Sequence, residues 1–207
     1  MKDKIKILIV DDHAILRVGL ASLLNTFDDL AVVGGSSSGE QALKDYRALA
    51  PDVVVLDLMM PDMDGIETTR RLKELAPEAH ILILTTFGTS DGIARALENG
   101  ALGAVMKNVG FPELLKAIRS VANGKRHLPA EVKALMADDP PAPPLSQRQS
   151  EILASIMRGL SNNDIAKLLG IGPDMVKAHI NQLFQKLGAA NRAEAVAIAL
   201  RKHLLKA

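Results

Sequence analysis

Three aspartates in the N-terminal half of the chain are candidate site residues, because each lies at the end of an apolar stretch. Asp11 and Asp12 directly follow one apolar stretch, and Asp57 directly follows another. If both stretches are strands of one parallel sheet, the carboxylates lie at the edge of the sheet where ligands bind. Carboxylates held so close together repel one another, and a divalent cation relieves that repulsion. An all-oxygen site that keeps some water suits Mg²⁺.

A hydroxyl and an ammonium group fall at the ends of two further apolar stretches, at Thr85 and Lys107. A metal, a carboxylate nucleophile, a hydroxyl donor and an ammonium together suit phosphoryl transfer onto an aspartate. Each residue alone has an ordinary alternative: the paired aspartates could cap a helix, Thr85 could be a strand residue, and Lys107 could be a solvated surface lysine. The whole set favours a phosphoryl-accepting site with Asp57 as the nucleophile.

Five short apolar stretches alternate with helical patterns before residue 126. Such stretches predict strands buried on both faces of a parallel sheet. Five successive βα units predict an open, doubly wound α/β fold, although the periodicity leaves the order of the strands open. The predicted strands are Lys6–Val10, Ala31–Gly34, Val53–Leu56, Ile81–Leu84 and Gly103–Met106. The predicted helices are Ala14–Thr26, with Ile15, Val18 and Leu23 on one side, Gly39–Leu49, Ile66–Leu75, Asp91–Glu98 and Phe111–Ala122.

A change in composition divides the chain of 207 residues, which is long enough for two small domains. The segment DDPPAPP at residues 138–144 excludes a helix or a central strand, because proline lacks the amide donor. We predict an N-terminal domain over residues 1–126, a linker over 127–144 and an all-α domain over 145–207. The helices predicted in that last domain are Gln147–Gly159, Asn162–Leu169, Pro173–Leu187 and Arg192–Leu205.

Charge is distributed unevenly between the two predicted domains. Residues 1–126 carry 15 Lys and Arg against 17 Asp and Glu, whereas residues 145–207 carry 9 against 4. A positive excess on a small C-terminal unit suits a polyanionic partner, although a mildly basic globular domain explains the charge equally well. The chain has no cysteine, which excludes disulfides and thiolate metal sites. With no apolar stretch long enough for a membrane span, we expect a cytoplasmic protein.

The segments ILIVDDH, VVVLDLMMPDMDG, ILTT and VMK carry the site residues, and Thr85 and Lys107 follow Asp57 by 28 and 50 residues. Over residues 4–124 this pattern resembles the receiver domain of two-component response regulators. The resemblance implies that a sensor histidine kinase phosphorylates Asp57. It implies that Asp11, Asp12, Asp57 and the backbone carbonyl of Met59 hold Mg²⁺, and that Lys107 and Thr85 contact the phosphoryl oxygens. No substrate turnover is expected beyond the protein's own dephosphorylation.

One residue departs from the receiver pattern. Ala104 stands where receivers usually carry an aromatic ring that moves when the threonine engages the phosphate. An alternative is therefore that the receiver is degenerate, independent of phosphorylation and used for dimerisation of a regulator that acts through its C-terminal domain. An aspartyl-phosphate hydrolase is disfavoured, because such enzymes carry a second Asp two residues after the nucleophile, where Met59 stands. Met59 and Phe87 flank the site, and we hypothesise that they slow hydrolysis of the acyl phosphate.

Two of the C-terminal helices, Asn162–Leu169 and Pro173–Leu187, are joined by a short turn that contains glycine, as in a helix-turn-helix. In the second of them, apolar residues at helical spacing should face inward. These residues are Val176, Ile180, Phe184 and Leu187. Lys177, Asn181 and Gln185 form a polar stripe that suits the major groove of DNA. A solvated helix face would look the same without the flanking pattern.

The flanking segments GLSNNDIAKLLGI and VKAHINQLFQKLG resemble the LuxR-type helix-turn-helix over residues 145–200, and with a receiver they indicate the NarL/FixJ class of regulators. The resemblance implies binding to double-stranded operator DNA and a homodimer in the active form. The implied DNA contacts are Lys177, Ala178, Asn181, Gln182 and Lys186. The last helix either forms the dimer or simply closes the core of the small domain. Met175 and Gln149 replace a common Thr and a common Glu, which tunes affinity.

Overall fold

The computed structural model describes residues 4–86, 90–138, 140–202 and 204. It divides into two compact units, residues 1–139 and residues 140–207. The first unit contains five strands and six helices among its described residues, and the second contains four helices. Within the described ranges, no helix combines the length and the apolar character that crossing a bilayer requires.

All five strands of the first unit belong to one parallel sheet. They are β1 (Ile5–Val10), β2 (Leu30–Ser36), β3 (Val53–Leu56), β4 (Ile81–Thr85) and β5 (Gly103–Met106). Their order across the sheet is β2-β1-β3-β4-β5. The residues after β1 and β3 are therefore neighbours at the carboxyl edge of the sheet. This is the arrangement in which aspartates on consecutive inner strands meet, and it confirms the predicted doubly wound fold.

Helices cover both faces of the sheet. They are α1 (Ala14–Leu24), α2 (Gly39–Leu49), α3 (Gly65–Leu75), α4 (Ser90–Glu98), α5 (Phe111–Ala122) and α6 (Ala130–Asp138). Residues of α1 and α5 pack against one face of the sheet, and residues of α2, α3, α4 and α6 pack against the other. Because successive residues of a strand point to opposite faces, strands covered on both sides are apolar throughout.

The loop after β3 is shaped by close packing at Gly65, where α3 begins. A Cβ atom on this residue would lie 2.2 Å from the backbone oxygen of Asp57, so only glycine fits. The amide of Gly65 donates a hydrogen bond to the carbonyl of Leu58 at 2.9 Å. Asp64 caps the helix by accepting from the amide of Glu67 at 2.7 Å. These contacts fix the backbone that follows Asp57.

Helix α1 differs from its sequence prediction in the face that it buries. Ile15 and Val18 are 90% and 67% exposed, and Leu23 is also exposed. The buried side instead carries Leu20 and Leu24, which pack with β-strand residues and α5. The helix is apolar on more than one side, so its sequence pattern does not identify the face that packs on the sheet.

The predicted linker over residues 127–144 also differs, because it contains helix α6. The amide of Ala104 in β5 donates to the carbonyl of His127 at 3.2 Å, so the chain first runs beside the sheet edge. Val132 of α6 is then buried in the same apolar cluster as Ala104, which is fully buried. Residues up to Asp138 are thus part of the first unit. The described residues from Pro140 to Ser146 have no regular secondary structure.

The second unit consists of α7 (Gln147–Met157), α8 (Asn162–Leu169), α9 (Pro173–Leu187) and α10 (Arg192–Arg201) around one main core. Helix α8 ends at Gly170, whose φ of 65° is left-handed and easy for glycine. Val176 and Ile180 of α9 are buried as predicted, together with Leu183. The other two residues predicted to face inward, Phe184 and Leu187, are partly buried. The predicted end of α10, Leu205, lies outside the described residues.

Candidate functional site

The three aspartates singled out in the sequence meet at the carboxyl edge of the sheet. The amide of Asp57 donates to the carbonyl of Val10 at 2.9 Å, which fixes β1 and β3 side by side at this point. Asp11 and Asp57 are each only 2% exposed. One ligand atom from each of Asp11, Asp12, His13 and Asp57 lies within 4.8 Å of the others. We call these four residues the acidic cluster.

Lys107 provides the positive charge that faces the acidic cluster. Its Nζ atom lies 2.5 Å from Oδ2 of Asp11 and 2.8 Å from Oδ2 of Asp57. The residue directly follows β5, and its amide donates to the carbonyl of Thr85 at 2.8 Å, which places it beside the end of β4. The Lys107 side chain is 6% exposed, so all three charged groups are withdrawn from water.

Burial and pairing act on the protonation of these groups in opposite directions. Burial raises the pKa of Asp57, and the charge of Asp11 raises it further. The hydrogen bonds from Lys107 and from the amide of Met59 offset this only in part, so the pKa of Asp57 stays above its ordinary value. Burial lowers the pKa of Lys107, but hydrogen bonds to both aspartates outweigh it and the pKa is raised. The lysine is therefore firmly cationic.

The composition of the acidic cluster is suited to a divalent cation. Two buried carboxylates and one partly exposed carboxylate converge with one ammonium to balance them, which leaves negative charge uncompensated. A divalent cation that prefers oxygen ligands would relieve that charge. His13 adds a nitrogen donor to the same group.

Thr85 ends β4 with a side chain that is fully buried. Its hydroxyl oxygen has no hydrogen-bond partner among the residues that the structure describes. A buried hydroxyl without a partner is costly, so such a group in a native protein calls for an explanation. A ligand that presents an acceptor oxygen at the carboxyl edge of the sheet would provide one.

Two further side chains at this edge were not predicted from the sequence. Nδ1 of His13 lies 2.8 Å from Oδ1 of Asp12 and 3.1 Å from Oδ1 of Asp11. Arg17 reaches back from α1 and donates to the backbone oxygen of Asp11 at 2.5 Å. The signal for Arg17 was its position four residues after His13, one helical turn into α1. Both residues hold the segment that carries the aspartates.

The flanking residues of the site are only partly described. The amide of Met59 donates to Oδ1 of Asp57 at 3.3 Å, while its side chain is 47% exposed. Metal binding by the Met59 carbonyl stays a prediction. Phe87, the second residue expected beside the site, lies outside the described residues.

In the second unit, the polar stripe predicted on α9 is open to solvent. Lys177, Asn181 and Gln185 of the stripe are all exposed, as are Ala178 and Gln182 beside it. Lys186 differs, because it is partly buried and donates to Oε1 of Gln149 on α7 at 3.3 Å. The contact links α9 to α7, and no local pattern in the sequence predicts it.

The apolar residues of α10 face the interior of the second unit. Ala195 and Ile198 pack in a small cluster with Phe184 and Leu187 of α9, and Ala199 belongs to the main core. The last helix thus helps to close the core of its own unit, and its role in forming a dimer stays a prediction. Leu200 of the same helix is 59% exposed.

Comparison with known proteins gives matches over both units. Residues 7–119 match the family model described as the response regulator receiver domain, and residues 143–199 match that of bacterial regulatory proteins of the luxR family. The response regulator protein VraR of Staphylococcus aureus (strain Mu3 / ATCC 700698) is 34% identical, over 98% of this chain and 99% of its own.

Solved structures give the same picture. The response regulator ChrA of a heme-sensing two-component system is 38% identical with a TM-score of 0.58, covering 98% of this chain and 99% of its own. RcsB from Salmonella enterica serovar Typhimurium, bound to a promoter with the phosphomimetic BeF₃⁻, is 25% identical. Its TM-score is 0.71, and the match covers 97% of this chain and 100% of RcsB.

Proposed function

This chain belongs to the two-component response regulators with a LuxR-type helix-turn-helix domain, and we propose that phosphorylation of Asp57 controls its binding to an operator in DNA. The observation that carries the assignment of Asp57 is its place between Asp11 and Lys107, with both carboxylates buried at the carboxyl edge of the sheet. A sensor histidine kinase is the partner that the receiver domain implies, and we place the regulator itself in the cytoplasm.

The residues around Asp57 support the transfer step. A carboxylate oxygen of Asp57 forms a bond to phosphorus, and the bond from phosphorus to the donor's nitrogen breaks. Lys107 is poised to balance charge on the phosphoryl oxygens, because its ammonium already lies 2.8 Å from Asp57. The unpartnered hydroxyl of Thr85 supplies a donor for one of those oxygens. Mg²⁺, when held by Asp11, Asp12, Asp57 and the Met59 carbonyl, would neutralise charge between nucleophile and phosphate.

The proposed output is a homodimer that binds two half-sites in DNA. Lys177, Ala178, Asn181 and Gln182 on the exposed face of α9 would enter the major groove, and Lys186 would contact a phosphate. Phosphorylation would favour the dimer by shifting a two-state receiver. The protein turns over no substrate beyond losing its own phosphoryl group.

The test is a reaction of the purified protein with a small phosphodonor and Mg²⁺, read by intact mass and then by sizing. We expect one added phosphoryl group, a shift to dimer and tighter binding to duplex DNA, all absent in Asp57→Ala. Failure to modify Asp57 under these conditions would overturn the proposal.

Ala104 keeps a second function open, in which the receiver serves dimerisation without phosphorylation. The residue is fully buried beside Val132 of α6, so the face that an aromatic ring would reorganise is already covered by that helix. Equal DNA affinity of the phosphorylated wild type and of Asp57→Ala would favour this function. Unequal affinity would exclude it.

A further inference from the structure

Lys186 lies near the C-terminal end of α9, the helix that we propose faces DNA. It lies one turn beyond Gln182 and is partly buried, whereas the earlier members of the exposed face are open to solvent. If the first half of α9 enters the groove, the ammonium of Lys186 lies toward the groove edge, where the phosphates are. The side chain that contacts this ammonium therefore influences how it meets DNA.

That side chain is Gln149, in the first turn of α7. Its Oε1 atom accepts from Nζ of Lys186 at 3.3 Å and from the amide of Ser146 at 3.0 Å. Ser146 in turn accepts from the amide of Gln149, which completes a capping box. Both groups that face the amide oxygen are donors, so the orientation of the Gln149 amide is determined by its surroundings. The capping box thus holds an acceptor at a defined position beside α9.

The Gln149 amide that accepts from Lys186 is neutral, so it leaves the positive charge of Lys186 uncompensated on α9. Among the described residues, Lys186 forms no ion pair with a carboxylate, and Gln149 is its hydrogen-bond partner. Its full positive charge is consequently available to a DNA phosphate. A carboxylate at the same position would neutralise that charge and compete with the phosphate for the ammonium.

We propose that Gln149 is a positioning residue that holds Lys186 uncompensated at the edge of α9 for contact with a backbone phosphate. The inference rests on the proposed DNA-binding function. A neutral partner orients the ammonium and still lets it displace a counterion from DNA, which is the source of the salt dependence of binding. Gln149 thereby sets sequence-independent affinity, while the exposed residues earlier on α9 read bases.

The test compares two isosteric substitutions that add the same charge to the same helix. Gln149→Glu places a carboxylate against Lys186. Gln147→Glu is the matched control, because Gln147 is exposed in the same turn of α7 and bonds to Glu151 at 3.2 Å rather than to Lys186. The lost bond and the repulsion between the two carboxylates therefore stay within α7. Binding of the full chain to a short random-sequence DNA duplex is measured over a range of salt concentrations. The same pair is then measured with Lys186→Met.

We expect Gln149→Glu to weaken binding about fivefold to tenfold at low salt, and to reduce the salt slope by about one unit. Gln147→Glu should weaken binding by no more than about twofold and should leave the salt slope unchanged. In the Lys186→Met background, Gln149→Glu should weaken DNA binding no more than Gln147→Glu does. The thermal midpoint should not fall, because Glu at this position can keep the capping box that Gln149 forms, and a negative charge is favourable at a helix N-terminus.

Two results would overturn the inference while leaving the proposed function intact. One is equal binding by Gln149→Glu and Gln147→Glu, and the other is a loss that persists undiminished in the Lys186→Met background. If the wild type itself fails to bind duplex DNA, the proposed function is overturned and this inference falls with it.

Discussion

The functional groups are buried and paired in the acidic cluster with Lys107, whereas those on the exposed face of α9 are open to solvent. Asp11, Asp57 and Lys107 are all nearly buried and hold one another at 2.5 and 2.8 Å. Lys177 and Asn181 are exposed and have no side-chain partner among the described residues. In the first region a change to a functional group also disturbs the fold. In the second region function and stability should separate.

The pKa values of one carboxyl group in each unit are also shifted in opposite directions. Burial raises the pKa of Asp57, whereas hydrogen bonds from Ser161 lower the pKa of Asp164 at the start of α8. The first group loses water without being fully compensated, and the second stays in water and gains donors. The following substitutions test how far this contrast extends.

The largest effect is expected from Lys107→Met. Removal of the ammonium leaves Asp11 and Asp57 buried without a counter-charge, so the free energy of unfolding should fall by about 3 kcal/mol. Mg²⁺ should restore part of the loss. Urea unfolding with and without Mg²⁺ measures both effects. Lys177→Met is the control on α9, and an equal loss there would break the contrast between the regions.

A smaller effect is expected from Asn181→Ala on the exposed face of α9. If Asn181 contacts a base, its loss should weaken binding to the cognate operator by about 1–3 kcal/mol. The thermal midpoint should not change, because the side chain is exposed. Operator titration beside thermal unfolding measures the two quantities, with Asn123→Ala in the first unit as the control. A drop in stability as large as the drop in affinity would contradict the separation.

Thr85→Val should change stability by about 1 kcal/mol, and in the stabilising direction. Valine has nearly the same shape as threonine, so the substitution removes only a fully buried hydroxyl, which has no partner among the described residues. Thr69→Val is the matched control, because the hydroxyl of Thr69 is equally buried but donates to Gly65 at 2.7 Å. Urea unfolding of the unphosphorylated proteins should give opposite signs for the two variants, and equal signs would contradict this account of Thr85.

The smallest effect is expected from Asp164→Asn. Because hydrogen bonds from Ser161 lower the pKa of Asp164 below 3.8, the carboxylate stabilises the folded state above that pH. This contribution is lost as the pH falls through the lowered pKa. The variant should therefore unfold at a slightly lower temperature at neutral pH, and the two midpoints should converge in acid. Thermal scans across pH measure the difference, and a gap that widened in acid would show the opposite sign.

Much of the first unit could be predicted, because buried parallel strands leave an unmistakable apolar pattern. The predicted bounds of β3 and β5 agree with the structure, and the aspartates after β1 and β3 lie together as expected. Strand order was not predictable from periodicity, since it depends on contacts between distant segments. Strand β2 extends to Ser36 because backbone pairing with β1 continues through Gly34 and Gly35, which lack side chains that favour a strand.

What the sequence missed depends on packing. The sequence pattern of α6 is short and precedes a proline-rich segment, so it predicts a linker, yet Val132 is buried in the core of the first unit. The bond between Gln149 and Lys186 joins residues 37 positions apart and has no local signature. In both instances a tertiary contact outweighed the local composition.

Buried Lys202, directly after α10, donates to the carbonyl of Pro140 at 2.7 Å, and these residues are 62 positions apart. The bond brings residues near the two ends of the second unit together. Ends that already lie close together can be joined by a short connecting segment, whose closure costs little entropy. The unit is therefore suited to circular permutation or to insertion into another protein as a cassette, with new termini in the turn at Gly159.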